Sequence, residues 1–134
     1  MAMVFTYDEI GPVHVIICTW TSDGSGDASD TTKKIVGELI KGVTNPGSAA
    51  PTDDYDITVS DEDSFNVLTS TDDDLLNRDT SNTEKVYFFE KDHAGTPLAQ
   101  PVRPVVADKL TIAVANAGSA KNGVLKLYWA PGVK

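Results

Sequence analysis

A chain of 134 residues with 40 % hydrophobic and 23 % charged side chains is long enough for one domain core, too short for two, and too apolar to remain disordered. Its net charge of −9 repels phosphate, which argues against nucleic acid and anionic membranes as partners. Cys18 is the single cysteine, so no internal disulfide can form and the disulfide-stapled secreted class is out.

The N-terminal MAMVFTYDEIG has no basic region followed by an apolar run, and no stretch approaches the length of a membrane span. Synthesis and folding in a reducing cytoplasm are therefore expected. Val13 to Thr21, VHVIICTWT, is rich in β-branched and aromatic residues, with Val13, Val15 and Ile17 on one alternating set and Ile16, Cys18 and Trp20 on the other. This pattern predicts a strand covered on both faces, with Cys18 as a buried thiol. SDGSGDASD reads as a polar turn. TTKKIVGELIKGV is ambiguous: Ile35, Val36, Leu39, Ile40 and Val43 fall at helical spacing, but Gly37 and Gly42 weaken a helix, and a strand is the favoured reading.

TNPGSAAPT is a loop leading into PTDDYDITVSDED, where Tyr55, Ile57 and Val59 alternate with Asp56, Thr58 and Ser60. Strict alternation predicts a strand with one face in the core and its acids in water. Thr69 to Thr83 is a polar loop with one helical turn expected at Leu75 to Arg78. VYFFE, Val86 to Glu90, is a further candidate strand. Pro97, Pro101 and Pro104 cannot donate ladder hydrogen bonds, so TPLAQPVRPVV reads as a connector. Lys109 to Ala115 and Val124 to Trp129 alternate around NAGSAKNG and predict a β-hairpin. Leu110, Ile112 and Val114 share a face in the first run; Leu125, Leu127 and Trp129 share one in the second. Residues 1–134 are thus expected to form one all-β domain, an antiparallel β-sandwich of jelly-roll-like type or a small β-barrel. A loop-rich acidic segment at about 61–83 and a Pro-rich connector at about 96–106 would interrupt it.

Calcium takes about six to eight oxygen ligands, and the acidic runs are the place to look for them. Asp54, Asp56 and Thr58 are followed by Val59 where an EF-hand loop needs Gly, and alternation turns Asp56 away from any cage. His14 and His93 stand far apart, and one Cys with two His lacks the paired ligands of a zinc site. No nucleophile-elbow, zinc-protease, P-loop or dinucleotide fingerprint occurs. The expectation is a protein that is not an enzyme and has no catalytic, cofactor or metal site. Interface residues are sought instead among the large aromatics and the two-faced strand: Val13, Val15, Ile17, Trp20, Tyr128 and Trp129. The split of charge points the same way, since residues 1–80 hold four basic and sixteen acidic groups and residues 81–134 seven and four. The acidic part of one copy could meet the less acidic part of another.

In order, IICTWTSDGSGDAS, AAPTDDYDITVSDEDSFNVL, LLNRDTSNTE and KLTIAVANAGSAKNGVLKLYW resemble small virion structural proteins of tailed bacteriophages. The resemblance runs from Val13 to Trp129 and is most specific in PTDDYDITVSDED and LTIAVANAGSAKNGVLKLY. Proteins of that group often carry Asp-Gly where this chain has Asp63-Ser64, and VYFFEKDHAGTPLAQPVRP departs from them. The resemblance implies a virion part made in many copies, above all a head decoration or cement protein that clamps the capsid lattice. Its implied partners are the major capsid protein and itself, as a homotrimer; a tail or neck component is the alternative within the same particle. From a different class, a carbohydrate-binding β domain for host surface sugars would need exposed aromatic platforms with convergent polar groups.

Overall fold

The computed structural model describes residues 2–68, 75–89 and 102–132. Among them are seven strands and no helix: β1 (Ala2–Asp8), β2 (His14–Thr21), β3 (Ala28–Pro46), β4 (Asp56–Ser60), β5 (Glu84–Tyr87), β6 (Val105–Ala115) and β7 (Asn122–Pro131). All pairings are antiparallel, in one sheet of order β1-β2-β7-β3-β6-β4, with β5 added to β3.

That sheet is not closed, yet it cannot be flat. With neighbouring strands about 4.8 Å apart, four steps from β2 to β4 would separate them by roughly 19 Å, whereas the rings of Trp20 on β2 and Tyr55 just before β4 lie 5.6 Å apart. The sheet therefore folds over on itself, sandwich-like. One layer holds β1, β2, β7, β5 and the C-terminal half of β3; the other holds the N-terminal half of β3 with β6 and β4. Ile16, Cys18, Trp20, Leu125, Leu127 and Trp129 of the first layer and Tyr55, Ile57, Val59, Leu110, Ile112 and Val114 of the second bury their side chains between them.

The 19 residues of β3 make the fold possible, because they serve both layers. Its register shifts between Thr31 and Lys34 and again between Leu39 and Lys41. Each extra residue moves the buried set from one parity to the other: Ala28 and Thr32, then Ile35 and Leu39, then Gly42 and Thr44. At Gly37 the strand is paired on both sides, with Val106 of β6 and Pro131 of β7.

Two expectations are corrected here. Lys109–Ala115 and Val124–Trp129 are both strands, inside β6 and β7, but they do not form a hairpin: β3 lies between them in the sheet. Alternation selects a buried face and not a partner, and residues 116–121 arch from one layer to the other. Their hydrogen bonds go to other loops, from Ala117 N to Gly26 O (3.0 Å), from Thr52 N to Ala117 O (2.9 Å) and from Ser22 N to Lys121 O (2.8 Å). Nor do Leu75 to Arg78 make a helical turn. Asn77 takes φ +56°, Arg78 bridges to Tyr55, and Leu75 is fully buried.

The Pro-rich connector ends sooner than expected, since Val105 and Val106 already belong to β6 and the Pro104 carbonyl accepts from Leu39 N at 2.9 Å. Asp72 to Asp74, His93, Pro97 and Pro101 lie outside the described residues. β1, which the sequence reading left unassigned, is an edge strand that pairs with β2 alone. It also reaches β3, where Tyr7 Oη accepts from Lys33 N at 3.0 Å and Glu9 pairs with the Lys33 ammonium.

Candidate protein interaction surface

Of the acids in PTDDYDITVSDED, four are acceptors that close turns. Asp56 takes hydrogen bonds from Asn77 N (3.1 Å) and Asn116 Nδ2 (2.6 Å), and Asp53 takes one from Thr80 N (3.2 Å). Asp61 Oδ1 accepts from Asp63 N (2.9 Å) and Phe65 N (3.0 Å); Glu62 accepts from Lys109 N (2.9 Å). Asp56 is only half buried on its strand, as alternation required, but it is a structural acceptor as well as a solvated charge. Among the described residues, no three His, Cys, Asp or Glu side chains converge. Ser64 takes φ +66°, the left-handed conformation that Gly adopts most easily.

The six interface candidates divide between the two faces of the first layer. Trp20 and Trp129 are 1 % and 5 % exposed and belong to the core. Their indole N–H groups have no partner among the described residues, so these rings act by packing, Trp129 edge-on to His14 at 4.8 Å. Val15, Ile17 and Tyr128 instead share the outer face, and Val13 lies in the bend before β2, 44 % exposed. The two-sided burial expected of the strand is reached only in part, with Val15 and Ile17 half-buried.

Register defines the rest of that face. One row runs Tyr87, Lys41, Tyr128, Val15, Asp8 across β5, β3, β7, β2 and β1; the next runs Lys85, Val43, Lys126, Ile17, Thr6. Lys41 Nζ sits between two rings, 4.6 Å from the centroid of Tyr128 and 5.7 Å from that of Tyr87, and Lys85 Nζ is 5.9 Å from Tyr87. These are cation–π distances. The ion pairs found among the described residues are Lys33–Glu9 and Arg78–Glu84, so Lys41, Lys85 and Lys126 have no carboxylate partner there. Asp8, at the far edge of its row, is the one acid in the two rows.

A chain of net charge −9 therefore presents, in these two rows, three lysines, two tyrosines and the apolar β-branched side chains of Val15, Ile17 and Val43. Sequence reasoning missed Lys41, Val43, Lys85, Tyr87 and Lys126. A signal for Lys126 was there: in VLKLYW, Lys126 and Tyr128 alternate with Leu125, Leu127 and Trp129, so Tyr128 could not share a face with Trp129. A concave feature lies elsewhere among the described residues, an open depression of about 370 Å³ lined by Asp23, Asp27, Ala28, Ser29, Ala113, Val114 and Ala115, without an aromatic ring. Compared with protein-family models and with curated proteins, the chain finds no match.

Proposed function

We propose that the chain is a structural protein of a tailed-bacteriophage virion, a head decoration protein that binds the major capsid protein and holds the lattice together. The observation that carries this reading is the outer face of the first layer, which offers apolar and aromatic area with ordered cations on a rigid sheet. Such a face suits contact with protein better than conversion of a small substrate, which calls for a concave pocket with convergent polar groups. The sequence resemblance supplies the particle. The mechanism is clamping: individually weak contacts made by many copies raise the barrier to separating capsid subunits against the pressure of packaged DNA.

The test is add-back to heads that lack the protein, followed by heating and measurement of DNA release, with a cryo-EM map of the decorated particle. The expected result is ordered density on the head and a higher release temperature. Density confined to the tail or neck, or no density together with an unchanged release temperature, would refute the decoration role.

A further inference from the structure

We infer that the acidic turn bearing Phe65 on one copy docks against the lysine–tyrosine face of a second copy, so that the chain associates head to tail. This deepens the reading of that face as a protein-docking surface and rests on it. The turn that follows β4 is built to present a side chain. Asp61 N donates to Phe65 O at 2.9 Å, Ser64 N to Asp61 O at 3.1 Å, and the Asp61 carboxylate accepts from Asp63 N and Phe65 N. Glu62 fastens the turn to β6 through Lys109 N. Out of this closed loop projects Phe65, 72 % exposed, with Asp63 exposed beside it.

An aromatic ring held on a fixed turn loses little freedom on docking, which is how a small contact retains affinity. Carboxylates beside it are what three lysines without a carboxylate partner among the described residues require. The chain supplies both halves of this match, but it cannot join them within one molecule. The turn extends a strand of the second layer, whereas the lysine–tyrosine face is the outer surface of the first and points away from the core. The contact is therefore heterologous, and a heterologous contact closes into a ring or propagates. Lysines and tyrosines on an open sheet could also stack single-stranded bases, but the net charge of −9 opposes a polyanion and not a neighbour's single turn.

Two variants separate the surfaces: Lys41→Glu with Lys85→Glu on the face, and Asp63→Lys with Phe65→Ser on the turn. Sedimentation equilibrium at about 100 μM, a hundredfold above a micromolar dissociation constant, should find the parent heavier than its 14.3 kDa chain. Association should weaken between about 0.1 M and about 1 M salt, as the screening length drops from about 10 Å to about 3 Å. Each variant alone should be monomeric with the parent's melting temperature, and an equimolar mixture should form a 1:1 dimer and nothing larger, because one intact turn then meets one intact face. If the doubly substituted face does not fold, Lys85→Glu alone, on an exposed side chain, gives the same readout.

A monomeric parent, a variant that associates as the parent does, or a mixture that stays monomeric overturns the inference. So does binding of labelled oligodeoxythymidine that the face substitutions abolish. The decoration role fails separately: a parent that associates in solution but adds nothing to heads refutes that role and leaves the head-to-tail contact standing.

Discussion

Replacing Gly37 by Ala tests the joint on which the folded sheet depends. A Cβ at that position would lie 2.1 Å from the Ala130 carbonyl oxygen, 3.0 Å from its carbon and 3.1 Å from Pro131 Cα. All three are backbone atoms of β7, so no side chain can turn aside. A carbon and an oxygen not bonded to each other rest at about 3.3 Å or more, and the strands must part by roughly 1 Å to allow it. Overpacking of this kind costs about 1–3 kcal/mol, and stretching one or two ladder hydrogen bonds adds about 1 kcal/mol each. The sum, about 2–5 kcal/mol, is a large share of the stability of a single domain. Urea unfolding followed by circular dichroism reads it as a lower midpoint at unchanged slope. Gly24→Ala is the control, since a Cβ there meets nothing within 4 Å, and should fall within about 0.5 kcal/mol of the parent. A Gly37→Ala protein within about 1 kcal/mol of the parent would refute the argument, because β3 and β7 would then have room to separate without loss.

Leu127 is fully buried between the layers, and Leu127→Ala should cost about 2–5 kcal/mol in the same assay; an unchanged midpoint would place the side chain outside the core. Burial, and secondarily the charge of Asp30, pushes the Cys18 thiol pKa up to about 12, so Ellman's reagent at about pH 8 should find no reactive thiol until the protein is unfolded. Rapid reaction of the native protein would contradict this. Hydrogen bonds from the backbone N–H groups of Ser81 and Asn82 and from the Asn82 amide hold the Asp79 carboxyl below its ordinary 3.8. A depressed folded value means stabilisation that is present above 3.8 and lost as pH falls through the folded value. Asp79→Ala should therefore melt below the parent at neutral pH, with the gap narrowing below about pH 4; a gap that stays constant under acid would remove the carboxylate from the account.

Much of this fold was legible because alternation is a local signal. Tyr55, Ile57 and Val59 announced β4, and Leu125, Leu127 and Trp129 announced the buried side of β7. What alternation leaves open is partnership. The runs in β6 and β7 read as a hairpin because they are neighbours in sequence, whereas the 19-residue β3 comes from far away to separate them. The same strand explains the helical spacing seen in TTKKIVGELIKGV, because the residues that gave it divide between two faces: Ile35 and Leu39 are buried, whereas Val36 is exposed and Ile40 and Val43 are half-buried. Apolar residues on both faces of a strand that reverses parity at Leu39/Lys41 imitate the spacing of a helix, and the glycines that argued against one, Gly37 and Gly42, are buried positions of the strand. The candidate surface was half legible. β2 and β7 carried its near side, but Lys41, Lys85 and Tyr87 join it only through pairings that no single segment encodes.

The shift between Leu39 and Lys41 links the fold to that surface. Had β3 kept the parity of Ile35, Gly37 and Leu39, position 41 would have pointed into the core, where an ammonium group would be buried without a partner. The extra residue reverses the strand, as bulges do when they re-aim a side chain. Gly42 then faces inward, where a Cβ would come within 2.9 Å of the Phe88 ring, and Lys41 faces out between Tyr128 and Tyr87. One added residue thus lets β3 keep its small side in a crowded core while placing a cation at the centre of two aromatic rings. The rings hold Lys41 over the sheet by their quadrupoles without neutralising it, so its full charge remains to attract an acidic partner. A carboxylate at either ring position would pair with that lysine internally and remove the attraction. Tyr87→Glu should therefore weaken self-association more than Tyr87→Phe, which keeps the ring and its negative face; equal effects of the two substitutions would mean that the charge of Lys41 plays no part in docking.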